Sequence, residues 1–241
     1  MIKKPVYLML VFIGFCYGNF AHATLLLSEY VEGSSYNKAL ELYNSGPAID
    51  FGSGLYSIAI YTNGSTSASR TVTLNGAIAQ DATLVLANSR ADTSLLTLAD
   101  LVSASLNFNG DDAIALMQDG VIIDRIGQIG VDPGSAWSTG SVTTVNATLR
   151  RMSGISAGDS QAYDAFDPAA QWQVYAEDDF SDLGRHAIAS GATGPTTGAK
   201  KALAVAAPNT LLLAALGLVV LLILTQKAKR PVSKHYGRLV V

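Results

Sequence analysis

Cysteine is almost missing from the 241 residues, and its one copy, Cys16, falls in an apolar N-terminal stretch. Beyond that stretch no disulfide framework, thiolate metal site or cysteine nucleophile can be built. Histidine is nearly as scarce. Of His22, His186 and His235, only His186 lies in the body of the chain, so a hydrolase needing imidazole has one candidate there. Positive charge is short as well. Between Thr24 and Ser190 seven Lys+Arg (Lys38, Arg70, Arg90, Arg125, Arg150, Arg151, Arg185) face nineteen Asp+Glu, a formal charge of −12 that the whole-chain value of −3 conceals. Phosphate backbones are held by cationic side chains that release counterions, so direct nucleic-acid binding by so acidic a segment is disfavoured.

What the chain does have is two apolar ends. Met1-Ile2-Lys3-Lys4 is basic, Val6 to Phe15 is apolar, and Ala21-His22-Ala23 places small residues where signal peptidase reads. The pattern predicts a secretory signal over 1–23, cleaved after Ala23, with Ala21 and Ala23 as its recognition residues. Phe15 precedes Cys16 where a lipoprotein signal wants a small residue, so lipidation is not expected. At the other end Ala202 to Leu224 is nearly all Ala, Leu, Val and Ile, followed by Lys227, Lys229, Arg230, Lys234 and Arg238. Roughly 20 apolar residues cross a bilayer, which predicts one transmembrane helix over 202–225. The basic flank places the tail, 226–241, in the cytoplasm and the rest of the chain outside. Residues 189–201, rich in Gly, Ala and Thr, read as a flexible linker.

The remaining segment, 24–188, suits one domain with a substantial core. Its apolar residues come in short period-two runs: Leu25 to Val31, Ala39 to Tyr43, Tyr56 to Tyr61, Arg70 to Leu74, Thr83 to Ala87, Ala113 to Met117 and Val121 to Ile126. Asp119-Gly120 between the last two supplies the positive φ of a tight hairpin. Only Thr93 to Val102, with leucines at 95, 98 and 101, reads as a short helix. Strands without intervening helices predict an all-β fold, an antiparallel sandwich or barrel.

Several polar groups invite a chemical reading. Asn107-Phe-Asn-Gly-Asp-Asp112 makes Asp111 and Asp112 weak candidates for a metal or ligand, but a calcium loop would close with a Glu about twelve residues on, and none is there. We favour a turn whose Asn and Asp side chains satisfy loop backbone groups. Glu177-Asp178-Asp179 with Asp182 reads as a solvated charged face. Glu29 and Glu41, in adjacent strands, could form a glycosidase-type pair. A structural role as an ion pair or strand carboxylate is the preferred reading. Trp137 and Trp172 with Tyr163, Phe166 and Tyr175 could make a sugar-stacking platform, although aromatics in such folds more often fill the core.

Taken in order, Ser28-Glu-Tyr-Val-Glu-Gly-Ser-Ser-Tyr-Asn-Lys-Ala-Leu-Glu-Leu-Tyr-Asn44, Leu106-Asn-Phe-Asn-Gly-Asp-Asp-Ala-Ile-Ala-Leu116, Asp124-Arg-Ile-Gly-Gln-Ile-Gly130, Asp132-Pro-Gly134, Thr148-Leu-Arg-Arg151 and Trp172 resemble the lamin-tail-like domain of bacterial secreted proteins. The resemblance implies an immunoglobulin-like β-sandwich. In that family the domain often accompanies an extracellular nuclease or phosphatase as an accessory module, and no residue here matches a catalytic motif that could be carried over. The tail, Val205 to Leu218 with basic residues behind, resembles sorting signals processed by exosortase-type transpeptidases. Those usually read Pro-Glu-Pro where Ala207-Pro208-Asn209 stands here. Processing near Pro208 and a permanent anchor both stay open.

The sequence thus predicts a non-enzymatic module without a cofactor, exported and displayed at the cell surface or in the extracellular matrix, that binds a polymer or a protein. The alternative is an accessory module localising a separately encoded nuclease or phosphatase.

Overall fold

A computed structural model describes residues 25–53 and 55–186; the segments read as signal, linker, membrane helix and tail lie outside them. In chain order the strands are β1 (Leu25–Glu32), β2 (Lys38–Asn44), β3 (Ile49–Asp50), β4 (Tyr56–Tyr61), β5 (Arg70–Thr73), β6 (Ala77–Ile78) and β7 (Ala82–Ala87). A single helical turn, α1 (Thr93–Leu96), precedes β8 (Leu101–Val102), β9 (Ala113–Gln118), β10 (Val121–Ile126), β11 (Ser138–Thr139), β12 (Val142–Thr143), β13 (Ala147–Arg151) and β14 (Trp172–Tyr175). The fold is all-β. Among the described residues no helix is long and apolar enough to cross a membrane.

Two sheets dominate. One has six strands in the order β14-β13-β1-β2-β7-β8, the other four in the order β10-β9-β4-β5. Leu27, Leu40, Leu42, Leu86, Leu149 and Trp172 of the first share one apolar cluster with Ile58, Ile60, Ile114, Leu116 and Ile126 of the second. The two sheets therefore face each other across a common core, as in a sandwich. Each aliphatic side chain fully buried there contributes about 1.5–3 kcal/mol, the source of stability left to a domain without disulfides.

The outer faces are covered too, which explains why β1 and β2 are buried along their whole length. Over the six-stranded sheet, Leu95 and Leu96 of α1 and Phe180 and Leu183 of the C-terminal segment pack on Val31, Ala39, Val85 and Ala87. Over the four-stranded sheet, Ile129, Trp137, Ala162 and Phe166 pack on Ala59, Tyr61, Ala113 and Ala115. Such strands read as apolar runs rather than strict alternation.

The motif residues Asp124, Arg125 and Arg151 join the layers. Asp124 of β10 and Arg151 of β13 form an ion pair at 2.6 Å, and neither is exposed. Asp124 also accepts hydrogen bonds from the backbone N–H groups of Leu27 (2.7 Å), Arg125 (2.8 Å) and Asp159 (2.8 Å). Arg151 donates to the Leu27 carbonyl at 2.5 Å and stacks on Trp172. The register slips between Leu27 and Glu29 in β1 and between Ile122 and Asp124 in β10. Next to the bulge in β1, Leu27 keeps its partner Leu42 in β2 but has none in β13, and on that side its N–H and C=O meet the ion pair instead. The bulge in β1 also lets Leu27 and Tyr30, three apart, share the core face, which strict alternation forbids.

Three expectations need correction. Thr93 to Val102 is not one helix: it stops at Leu96, Leu98 is 40 % exposed, and Leu101–Val102 becomes a strand. The Asp100 carboxylate takes the Val85 N–H at 2.9 Å and draws the chain onto the sheet edge. That edge strand pairs parallel with β7, so the arrangement is not wholly antiparallel. The hairpin stands as read, with Gln118 paired to Val121 and positive φ at Asp119 (50°) and Gly120 (78°). The third concerns the charged segment 177–182, described with the site.

Candidate functional site

Three connections gather at one end of the two sheets: the β1–β2 turn, the β4–β5 loop and the loop leading into β9. Between them lies an open cleft of about 410 Å³ lined by Glu32, Ser35, Lys38, Thr62, Asn63, Arg70, Asn107, Phe108, Asn109 and Asp112. Its loops are fixed from beneath. The buried Asp112 carboxylate accepts from the Asn63 N–H at 3.2 Å and the Asn109 N–H at 3.1 Å, tying two walls together. Burial pushes the Asp112 carboxyl up, and those two N–H groups pull it partly back. Asp112 thus has the loop-satisfying role expected of the Asn107–Asp112 turn, which the Asn107 and Asn109 amides do not share.

Two of the four charges in the cleft are spent on each other. Lys38 pairs with Glu32 at 2.9 Å and donates to the Gly33 carbonyl, while Glu32 also accepts from the Asn146 N–H. Arg70 donates once, to the Asn107 carbonyl at 3.3 Å. The side-chain amides of Asn63, Asn107 and Asn109 make no hydrogen bond to any described residue, and Asn63 and Asn109 are exposed. Ser35 and Asn63 hold left-handed backbone, with φ of 51° and 50°. The cleft therefore offers unspent amides, hydroxyls and one guanidinium fork on a fixed frame.

The other candidates fall elsewhere. Asp111 is buried with its Oδ1 lacking a hydrogen-bond partner, and among the described residues no three His, Cys, Asp or Glu side chains come together as a metal site. Trp137 and Trp172 are core residues, Phe166 packs edge-on against Trp137, Tyr175 lies exposed beneath Arg150, and Tyr163, 70 % exposed, stands apart. The five aromatics make no platform. Ala21, Ala23, Ala207, Pro208 and Asn209 lie outside the described residues.

Glu29 and Glu41 are cross-strand partners on the outer face of the six-stranded sheet, both buried. The Glu41 carboxylate accepts from Ser28 Oγ at 2.6 Å, Gly184 N–H at 2.6 Å and Arg185 N–H at 3.2 Å. Arg150 reaches Glu29 at 3.4 Å and Asp179 at 2.9 Å. The segment read as a solvated acidic face is thus a strap across the sheet, with Asp178 and Asp179 half-buried in contacts with Ser34, Asn37 and Arg150, while Glu177 and the Asp182 carboxylate stay largely open to solvent. Sequence missed this because Arg150 and Gly184 lie more than a hundred positions from the glutamates they meet. His186 stacks on Tyr43 at 4.8 Å, where burial lowers its pKa.

Compared with protein-family profiles, curated proteins and solved structures, the chain matches none.

Proposed function

We propose that this chain is a non-catalytic extracellular binding module. In this reading a lamin-tail-like, immunoglobulin-like sandwich is exported past a signal cleaved after Ala23 and displayed through segment 202–225. That segment is either a single-span anchor or a substrate for an exosortase-type enzyme acting near Pro208. The domain stands outside the cytoplasm, at the cell surface or in the matrix.

The cleft carries the reading. Lys38 and Glu32 are engaged with each other and Asp112 with loop N–H groups, whereas three amides and the hydroxyls of Ser35 and Thr62 are spare. Amides donate and accept at once, as sugar hydroxyls do, so the groups on offer fit a hydroxyl-rich polymer, and Arg70 adds a fork for an occasional carboxylate. Of the strongly buried carboxylates, Asp124 and Glu41 are taken up by structural hydrogen bonds and Glu29 by Arg150, which supports a binding role over a catalytic one. A glycan and protein array probed with the purified full chain tests this. Retention on polysaccharides is expected, and retention on proteins alone would refute it.

One observation favours the second reading, an accessory module that localises a separate hydrolase. Leu55, 75 % exposed, exchanges hydrogen bonds with Asp119 of the β9–β10 hairpin, which also carries Val121, 64 % exposed. This apolar spot suits a protein contact. Loss of a captured hydrolase in Leu55→Ser would support it.

A further inference from the structure

We propose that residues 177–186 are a proton-operated strap, seated on the outer face of the six-stranded sheet while the Glu29–Glu41 pair keeps a proton and released when both carboxylates ionise. Three anchors hold the strap. At its start the Asp178 carboxylate accepts from Ser34 N–H at 3.0 Å, Ser34 Oγ at 2.6 Å and Asn37 Nδ2 at 3.1 Å. In the middle Asp179 and Asp182 meet Arg150, and Phe180 and Leu183 pack on the sheet. At its end Gly184 and Arg185 donate their N–H groups to Glu41.

The charge around the pair is lopsided. β13 supplies Arg150, the strap supplies Asp179 and Asp182, and β1 and β2 supply Glu29 and Glu41 with the neutral Ser28. His186, whose pKa burial lowers, is the remaining titratable group of the strap against this face, stacked on Tyr43 of β2. Fully ionised, Glu29 and Glu41 lie side by side beneath the strap with Arg150 paired to Glu29 alone of the two, while Asp179 and Asp182 add two partly exposed carboxylates around the same guanidinium, and like charges so placed oppose one another. A proton on the pair removes that repulsion and leaves Glu41's acceptor oxygens in use.

Burial raises Glu29 and Glu41 each to about 8, with Arg150 opposing at Glu29 and the Ser28 hydroxyl at Glu41. An unfolded or unstrapped glutamate releases its proton near the ordinary value, so the seated form holds extra protons between that value and about 8. Seating is therefore favoured on the acid side and lost as pH rises through about 8. The same strap fixes the β1–β2 turn whose Ser35 lines the cleft, so release also loosens one cleft wall; that consequence, unlike the strap itself, rests on the cleft reading above.

Hydrogen exchange of the full chain, corrected for intrinsic rates, tests the strap without any ligand. Between about pH 6 and about pH 9 the amides of residues 180–185 are expected to lose roughly ten-fold or more in protection, while β9 stays unchanged. Glu29→Gln, which mimics the protonated form, should keep the strap protected throughout. A second variant, Leu183→Ala, weakens the apolar seat and should move release to lower pH. Protection that is independent of pH in the wild type, or a fall identical in Glu29→Gln, overturns the proposal whatever the cleft binds.

Discussion

Replacing Asp124 with Asn leaves the Arg151 guanidinium buried between sheets with its charge uncompensated, and turns one of the two acceptor oxygens into an NH2 that faces the donors it formerly satisfied. Breaking one side of a buried pair costs about 3–5 kcal/mol, so a large drop in urea midpoint is expected, partly recovered when Arg151→Met is added. An unchanged midpoint in the single variant would show that the pair is not a tie between layers. At the cleft the neighbouring acids should part company. Asp112→Ala removes an acceptor for two loop N–H groups and should destabilise by about 1–3 kcal/mol. Asp111→Asn replaces a buried carboxylate whose Oδ1 has no partner and should be neutral or stabilising. A melting temperature raised by millimolar calcium in the wild type but not in Asp111→Asn would instead restore the metal reading. Of these roles only that of Asp112, an acceptor for loop N–H groups, was legible in the residues alone. Asp124 and Arg151 could be seen as a pattern, but 27 positions separate them and their burial exists only once two sheets meet.

At the scale of elements, the seven strands read from period-two runs are present with ends within about a residue. Their apolar content is high because both sheet faces are covered. Missed were the two-residue strands β3, β6, β8, β11 and β12, too short to show a period, and β13 and β14, which carry Arg150, Arg151 and Gln173 among few aliphatics and whose pairing depends on a crossing of some twenty residues that no local pattern encodes. The strap was missed for the same reason: its acids look like a solvated run unless the position of Arg150 is known. Gly33 makes its seating possible, since a Cβ there would lie 2.1 Å from Asp178 Oδ1 and 2.8 Å from the Asn37 carbonyl. Gly33→Ala should therefore raise exchange at residues 180–185 at every pH, including the acid side where wild type is protected. Equal protection in the two proteins would mean that Asp178 does not anchor the strap.

For the molecule as a whole, the lack of cysteine outside the N-terminal stretch predicts a melting temperature indifferent to reductant. A charge of −12 over residues 24–190 predicts no retention on DNA at about 150 mM salt, where even cationic proteins bind non-specifically only at about 10⁻⁴–10⁻⁶ M. The all-β class and the polar turn at Asn107–Asp112 were open to sequence reading. The cleft was not, because its walls come from three connections separated by dozens of residues. The central claim, that this cleft is the binding site, is met most directly by calorimetric titration of the array's best polysaccharide fragment into wild type and into Asn107→Ala/Asn109→Ala. Those amides have no internal partner, so the variant should keep its unfolding midpoint while its affinity falls roughly ten-fold or more, about 1.4 kcal/mol. Equal affinity in the two proteins would contradict the account.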